Sequence, residues 1–142
     1  MIEIDYSLIP EGSFLMGNSN GSHIEDGEGP LREVMVSSFE ISKHSVSNEQ
    51  FAKFVSATNY KTSAEINGFS HVFVGQLSNS DEHEPASTIA PWWRKVYGAN
   101  WEKPNGLDDA SGRLPVVHIS IMDAVAFCIW NHSRLPTEAE WE

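Results

Sequence analysis

Apolar and polar residues first alternate with a period of two, then twice adopt helical spacing, with a long disordered pattern between. In LIPEGSFLMGNS an apolar start runs into a Pro-Glu-Gly turn, a short strand Ser13–Met16 and a Gly-Asn turn. GSHIEDGEGPLREVMVSSFEISKHSV opens as a Gly-rich acidic loop. It then alternates through Val34, Val36, Phe39 and Ile41, which predicts one or two strands. Ser47 and Gln50 form a capping box, with Val46 and Phe51 at the hydrophobic-staple positions. Phe51, Phe54, Val55 and Thr58 then line one helical face, and Asn59 marks the stop. From Tyr60 to Gly112 periodicity fades, and the reading there is irregular chain of the kind that tends to be functional. LPVVHIS predicts an apolar strand. Ser120 and Asp123 then cap a second helix, with Ile121, Ala124, Val125 and Cys128 inward and Phe127 and Trp130 on the flanks. RLPTEAEWE closes the chain with another capping box, Thr137 with Glu140, and a helix that stops where its first core-facing side chain, Trp141, arrives. The pattern is α+β and rich in loops.

Composition narrows the function classes. Twenty acidic against nine basic residues give a formal charge of -11, which disfavours nucleic acid and anionic membrane surfaces as partners. No stretch approaches the roughly 20 apolar residues of a membrane span. The N-terminus, MIEIDYSLIPEGSF, has no basic n-region or apolar h-region, so a cytoplasmic location is expected. Cys128 is the single cysteine, so no intrachain disulfide forms. Its place on the apolar side of a helix reads as a structural thiol.

The six histidines, at 23, 44, 71, 83, 118 and 132, include no pair two or four residues apart, the spacing that aims two imidazoles at one ion. HIEDGEGP and SDEHEP gather carboxylates without the alternate-position spacing of a calcium loop, and read as solvated acidic loops. APWWRKVYGANWEKPNG is the strongest local signal. Trp92, Trp93, Tyr97 and Trp101 suit either a small core that pins a loop or a groove for a peptide or sugar. Arg94 and Lys95 beside them read as rim.

Five stretches together resemble the formylglycine-generating enzymes, or sulfatase-modifying factors. They are IPEGSFLMGN, DGEGPLREV, SVSNEQFAKFVSATNYKTSAE, APWWRKVYGANWEKPNG and LPVVHISIMDAVAFCIWNHSRLPTEAEWE. The resemblance implies a C-type-lectin-like formylglycine-generating-enzyme fold, of which residues 1–142 are the N-terminal half of a single domain, cut inside a helix. It implies oxidation by dioxygen of a Cys in the CxPxR motif of an unfolded sulfatase peptide, at a copper ion held by two cysteines. Soft thiolates suit Cu(I). Those cysteines, and the family's calcium sites, belong to the absent half, so the chain alone is expected to be inactive and the C-terminal half is a candidate partner. Cys128, in AFCIW, matches a family cysteine that forms a structural disulfide in some members. Trp92 and Ala64 match positions lining the substrate groove, with Trp93 and Trp101 as supports. The alternatives are a non-catalytic binding module of the same fold and the C-terminal domain of a non-haem iron sulfoxide synthase. The latter needs a His-rich iron-binding helix, which does not precede Ile9 here.

Overall fold

A computed structural model describes residues 2–19, 25 and 27–142. Of the acidic loop predicted around His23, residues His23, Ile24 and Asp26 lie outside the described ones. The chain divides into two compact units. One is Ser45–Arg134 with the N-terminal residues up to Glu3, and the other is Ile4–His44 with Leu135–Glu142.

In the smaller unit the alternating pattern yields four strands. β1 (Tyr6–Ile9) pairs antiparallel with β4 (Phe39–Ser42), and β2 (Gly12–Met16) with β3 (Arg32–Val36). The ladders share one register, Ile9 opposite Phe39 and Gly12 opposite Val36. They are therefore one long hairpin interrupted at Pro10, whose ring nitrogen has no hydrogen to give. The Thr137 cap produces a single turn, α4 (Glu138–Trp141), with both capping-box hydrogen bonds made. One turn fixes its dihedrals for very few hydrogen bonds. Here Glu142 adds a tertiary tie by accepting from the Gly17 N–H at 2.9 Å. Trp141 stands in solvent.

The larger unit is built on α1 (Asn48–Thr58) and α3 (Ile121–Trp130), each started by the capping box read from sequence. Asn59 ends α1 in the left-handed conformation, φ 54°, and its N–H bonds back to Val55 O. The core between the two helices is aromatic. Phe51 meets Phe54, Trp101 and Phe127 at 5.3, 5.4 and 5.9 Å between ring centroids, and Phe54 also meets Tyr60 and Trp130.

Three expectations are corrected. Along α3 the buried residues are Asp123 and Phe127; of the expected inward stripe Ile121 stands in solvent, while Ala124, Val125 and Cys128 are half-buried, as is Trp130. Phe127 is 4% exposed and Ile121 66%. An α3 apolar on nearly every side leaves periodicity with no face to choose, and the buried Asp123 carboxylate sets the rotation instead. LPVVHIS does not form a strand. Pro115 makes only an isolated bridge to Ser47, and His118 adopts a positive φ of 58°, which takes the chain out of the extended region. Finally, the stretch from Tyr60 to Gly112 is not wholly irregular. It contains a short helix α2 (Ser63–Asn67) and an antiparallel hairpin of β5 (Phe69–Phe73) with β6 (Trp93–Tyr97).

Candidate functional site

All four residues expected to form the groove lie on or beside α2, β5 and β6. Thr62 caps α2, its hydroxyl accepting from Glu65 N–H while the Glu65 carboxylate accepts from Thr62 N–H and Oγ1 at 3.0 and 2.9 Å. Glu65 Oε2 also accepts from Trp101 Nε1 at 3.3 Å, and Lys61 Nζ sits 3.1 Å from Oε1. Burial opposes charge on Glu65, but the bonds from Thr62 and Lys61 outweigh it and hold the carboxyl below its ordinary pKa. Trp101 is 6% exposed, packed on Phe51. Its indole therefore anchors the GANW turn to α2, and any part it has in a groove is as a support from behind. Ala64, next to Glu65, is buried as well.

Trp92 and Trp93 differ from that pair. Both are about half in solvent, at 49% and 43%. Trp93 starts β6 and packs edge-on against Phe73 at 5.9 Å. Trp92 precedes the strand, its carbonyl accepting from Val74 N–H. Ala64 is tied to the other end of β5, its carbonyl accepting from Gly68 N–H at 2.9 Å. The two positions expected to line a groove are thus tied by these bonds to residues that flank β5 on either end, Gly68 and Val74.

The turn after β6 is locked in shape. Asn100 Oδ1 accepts from Glu102 and Lys103 N–H, and Asn105 Oδ1 from Leu107 and Asp108 N–H, the local bonding that suits Asn to turns. Gly106, at φ 83°, leaves no room for a side chain, since a Cβ there would meet Tyr97 O at 2.9 Å and Val96 Cγ1 at 3.0 Å.

Two supporting roles escaped the sequence reading, one of His118 and one of Asp123, which reads there only as a helix cap. His118 has Nε2 2.8 Å from Pro104 O and Nδ1 2.8 Å from Ser70 Oγ. A carbonyl only accepts, so Nε2 carries the hydrogen, and Nδ1 accepts from the Ser70 hydroxyl. Neutral His118 thereby ties β5 to the turn. Burial and the nearby His71 push its pKa below the ordinary value, against the Pro104 bond. The unfolded chain therefore takes up this proton first, and stability falls as pH drops below about 6.5. Replacing His118 by Gln should flatten that fall, read as a smaller difference between urea midpoints at pH 7.5 and 5.5. An unchanged difference would deny His118 the role. The second group is Asp123, one of whose oxygens accepts from Tyr60 OH and Ser63 N–H, and the other from Ser120 N–H and Oγ. It joins the start of α2 to the start of α3.

The donor set does not fit a two-thiolate copper centre. Cys128 is the one thiol in the sequence. Among the described residues no group of three His, Cys, Asp or Glu could hold a metal ion. Those described residues also include no helix long and apolar enough to cross a membrane.

The elements just described are those of a loop-rich α+β fold, and Phe73, Trp92, Trp93 and Tyr97 are exposed aromatic residues on or beside one hairpin. Residues 3–142 match the family model of the sulfatase-modifying factor enzyme 1-like domain, and the chain belongs to that family. It is 47% identical over 140 residues to a formylglycine-generating enzyme of Mus musculus, covering 94% of this chain and 37% of that protein. With the Thermomonospora curvata formylglycine-generating enzyme it shares 46% identity, covering 94% of this chain and 46% of that one. It is also 43% identical to the inactive Cα-formylglycine-generating enzyme 2 of Mus musculus, covering 94% of this chain and 44% of that protein. Among solved structures, PvdO from Pseudomonas aeruginosa superposes with a TM-score of 0.55 at 19% identity, over 89% of this chain and 38% of that chain, a likeness of fold. The chain thus spans less than half the length of these curated relatives.

Proposed function

We propose that this chain forms the N-terminal half of a formylglycine-generating oxidase, which converts the Cys of a CxPxR segment in an unfolded sulfatase to formylglycine. The observation that carries this reading is 46–47% identity to formylglycine-generating enzymes over 94% of the chain. In the reading, Trp92 presents its exposed ring to the peptide, Ala64 lines the far end, and Trp93 and Trp101 hold the walls. Because Ala64 and Trp92 are bonded to the residues that flank β5, Gly68 and Val74, a peptide touching both lies lengthwise along the hairpin. When bound, copper supplies the oxygen chemistry through two thiolates, and one cysteine cannot provide them, so that pair comes from further polypeptide. Calcium belongs to that polypeptide too, and the site of action is the cytoplasm.

The likeness to an inactive relative favours a second reading, a peptide-binding module of the same fold without oxidase activity. Coding sequence beyond the codon for Glu142 separates the two. A closely spaced cysteine pair is expected from the first reading, and a continuation without it would leave only the second. In protein carrying that pair, Trp92→Ala should weaken binding of a fluorescein-labelled CxPxR peptide by about tenfold, as loss of a ~1.4 kcal/mol contact would. Unchanged anisotropy titrations would remove Trp92 from the groove.

A further inference from the structure

The hairpin of β5 and β6 has one edge covered and one open. Gly98 N–H donates to Gly68 O and Val74 N–H to Trp92 O, so the even-numbered residues of β5 exchange hydrogen bonds with β6. Phe69, His71 and Phe73 therefore turn their N–H and C=O groups the other way. On the far side of β6 the equivalent groups are satisfied, Lys95 N–H by Glu84 O and Trp93 O by Ala86 N–H. Among the described residues no backbone bond from another segment reaches Phe69 or His71 on the outer side of β5, while Phe73 is the N-cap of a short 3-10 turn, Val74–Gln76, which takes up its carbonyl and leaves its N–H. Natural sheets block such an edge with charge, proline or a covering segment, and the sequence of β5, FSHVF, carries no Lys, Arg, Asp, Glu or Pro.

The same odd-numbered residues carry the side chains of the outer face, of which Phe69 and Lys95 are half-buried and the others exposed. In register these are Phe69 with Tyr97, His71 with Lys95, and Phe73 with Trp93. The two aromatic pairs pack edge-on at 6.1 and 5.9 Å. Lys95 Nζ lies 4.2 Å from the centre of the Phe69 ring and 4.9 Å from that of Tyr97. Among the described residues, no carboxylate pairs with it. The even-numbered face is the supporting one, where Val72 and Val96 are buried with Ala99.

We propose that the open edge of β5 takes up an extended peptide as a third strand, with a carboxylate side chain beside Phe69 and an apolar one beside Phe73. Strand addition draws its affinity from main-chain bonds at alternate residues, which Phe69, His71 and the Phe73 N–H offer. Its selectivity comes from the side chains above them. An added strand lies about 4.8 Å from β5. Lys95 reaches across to Phe69, so its ammonium is already placed toward that strand and attracts a negative group there. The Phe73–Trp93 pair at the other end gives an apolar side chain a flat aromatic surface. This site stands on backbone geometry and charge, and does not depend on the formylglycine reading.

The test uses the 142-residue chain and a short acetylated peptide alternating Val and Thr with a single Glu. Calorimetry should show binding, and amide exchange at His71 and Phe73 should slow in the complex. The peptide with Lys in place of Glu should bind about tenfold more weakly, and Lys95→Glu should reverse that preference. His71→Pro should abolish binding. Proline at that position removes an outward N–H and leaves the bonds between β5 and β6 in place. Where that variant lacks the parent's near-ultraviolet circular dichroism, N-methylation of the peptide makes the same cut on unaltered protein. Failure of both peptides to bind would overturn the proposal, as would binding indifferent to N-methylation. Dimers in sedimentation that His71→Pro dissolves would also overturn it, by assigning the edge to a second copy of the chain.

Discussion

Replacing Phe51 by alanine is expected to cost about 3–5 kcal/mol, the range for emptying a large aromatic site in a core. Phe51 is 1% exposed and touches three rings from separate parts of the chain: Phe54 on its own helix, Phe127 on α3 and Trp101 in the turn after β6. None of these neighbours is able to close in easily. Phe127 is also packed on Phe54 and Trp130, and the Trp101 indole is held by Glu65. The cavity therefore stays open, which puts the cost toward the upper part of the range. Such a loss is a large fraction of the 5–15 kcal/mol that typically holds a domain together. In urea it should appear as a lower midpoint with little change in slope, the sign of lost stability rather than altered compactness. Phe51→Leu, which keeps most of the volume, should lose less than half as much. A midpoint shift worth under about 1 kcal/mol for the alanine variant would mean that these rings are not the centre of the core.

How much of this was legible in the chain depends on whether the signal was local. Capping boxes are local, and those at Ser47, Ser120 and Thr137 could be read directly. The box at Thr62 and Glu65 has the same signature. It passed unread because α2 is too short to repeat an apolar stripe and its Ile66 points to solvent. The β5–β6 hairpin was hidden for a related reason. Its exposed face is aromatic rather than polar, so the alternation that marks a half-buried strand is blurred. The rotation of α3, the tie from His118 to Ser70 and Pro104, and the convergence on Asp123 join residues far apart in sequence. No window of sequence contains them. Trp92 and Ala64 came from a family likeness, and the structure adds their bonds to Val74 and Gly68, the residues that flank β5.

The second large effect is expected at Asp123, and it includes a dependence on pH. The carboxylate is 1% exposed and accepts from Tyr60 OH at 3.0 Å, Ser63 N–H at 3.1 Å, Ser120 N–H at 2.8 Å and Ser120 Oγ at 2.8 Å. Burial alone would raise its pKa. The bonds from Ser120, Tyr60 and Ser63 outweigh burial and bring the pKa below the ordinary value, while burial, and then the bond to the Asp123 carboxylate and its charge, raise that of Tyr60. Asp123→Ala strands several buried donors at about 1–3 kcal/mol each, so a loss of about 3 kcal/mol or more is expected. Asp123→Asn keeps the shape but turns an amide NH2 toward groups that are themselves donors, and should lose roughly half of that. The sign with pH follows from the lowered value. The unfolded chain binds this proton more readily, so the stabilisation is complete above about pH 4–5 and disappears as the medium becomes more acid. Glu65, also held low, acts in the same range. The wild-type chain should therefore lose stability steeply from pH 5 to pH 3, and Asp123→Asn should show a shallower but still visible decline. An equally steep decline in the Asn variant, followed by urea unfolding across that range, would mean that the ring of donors does not hold Asp123 as an anion. The union of α2 with α3 would then need another cause.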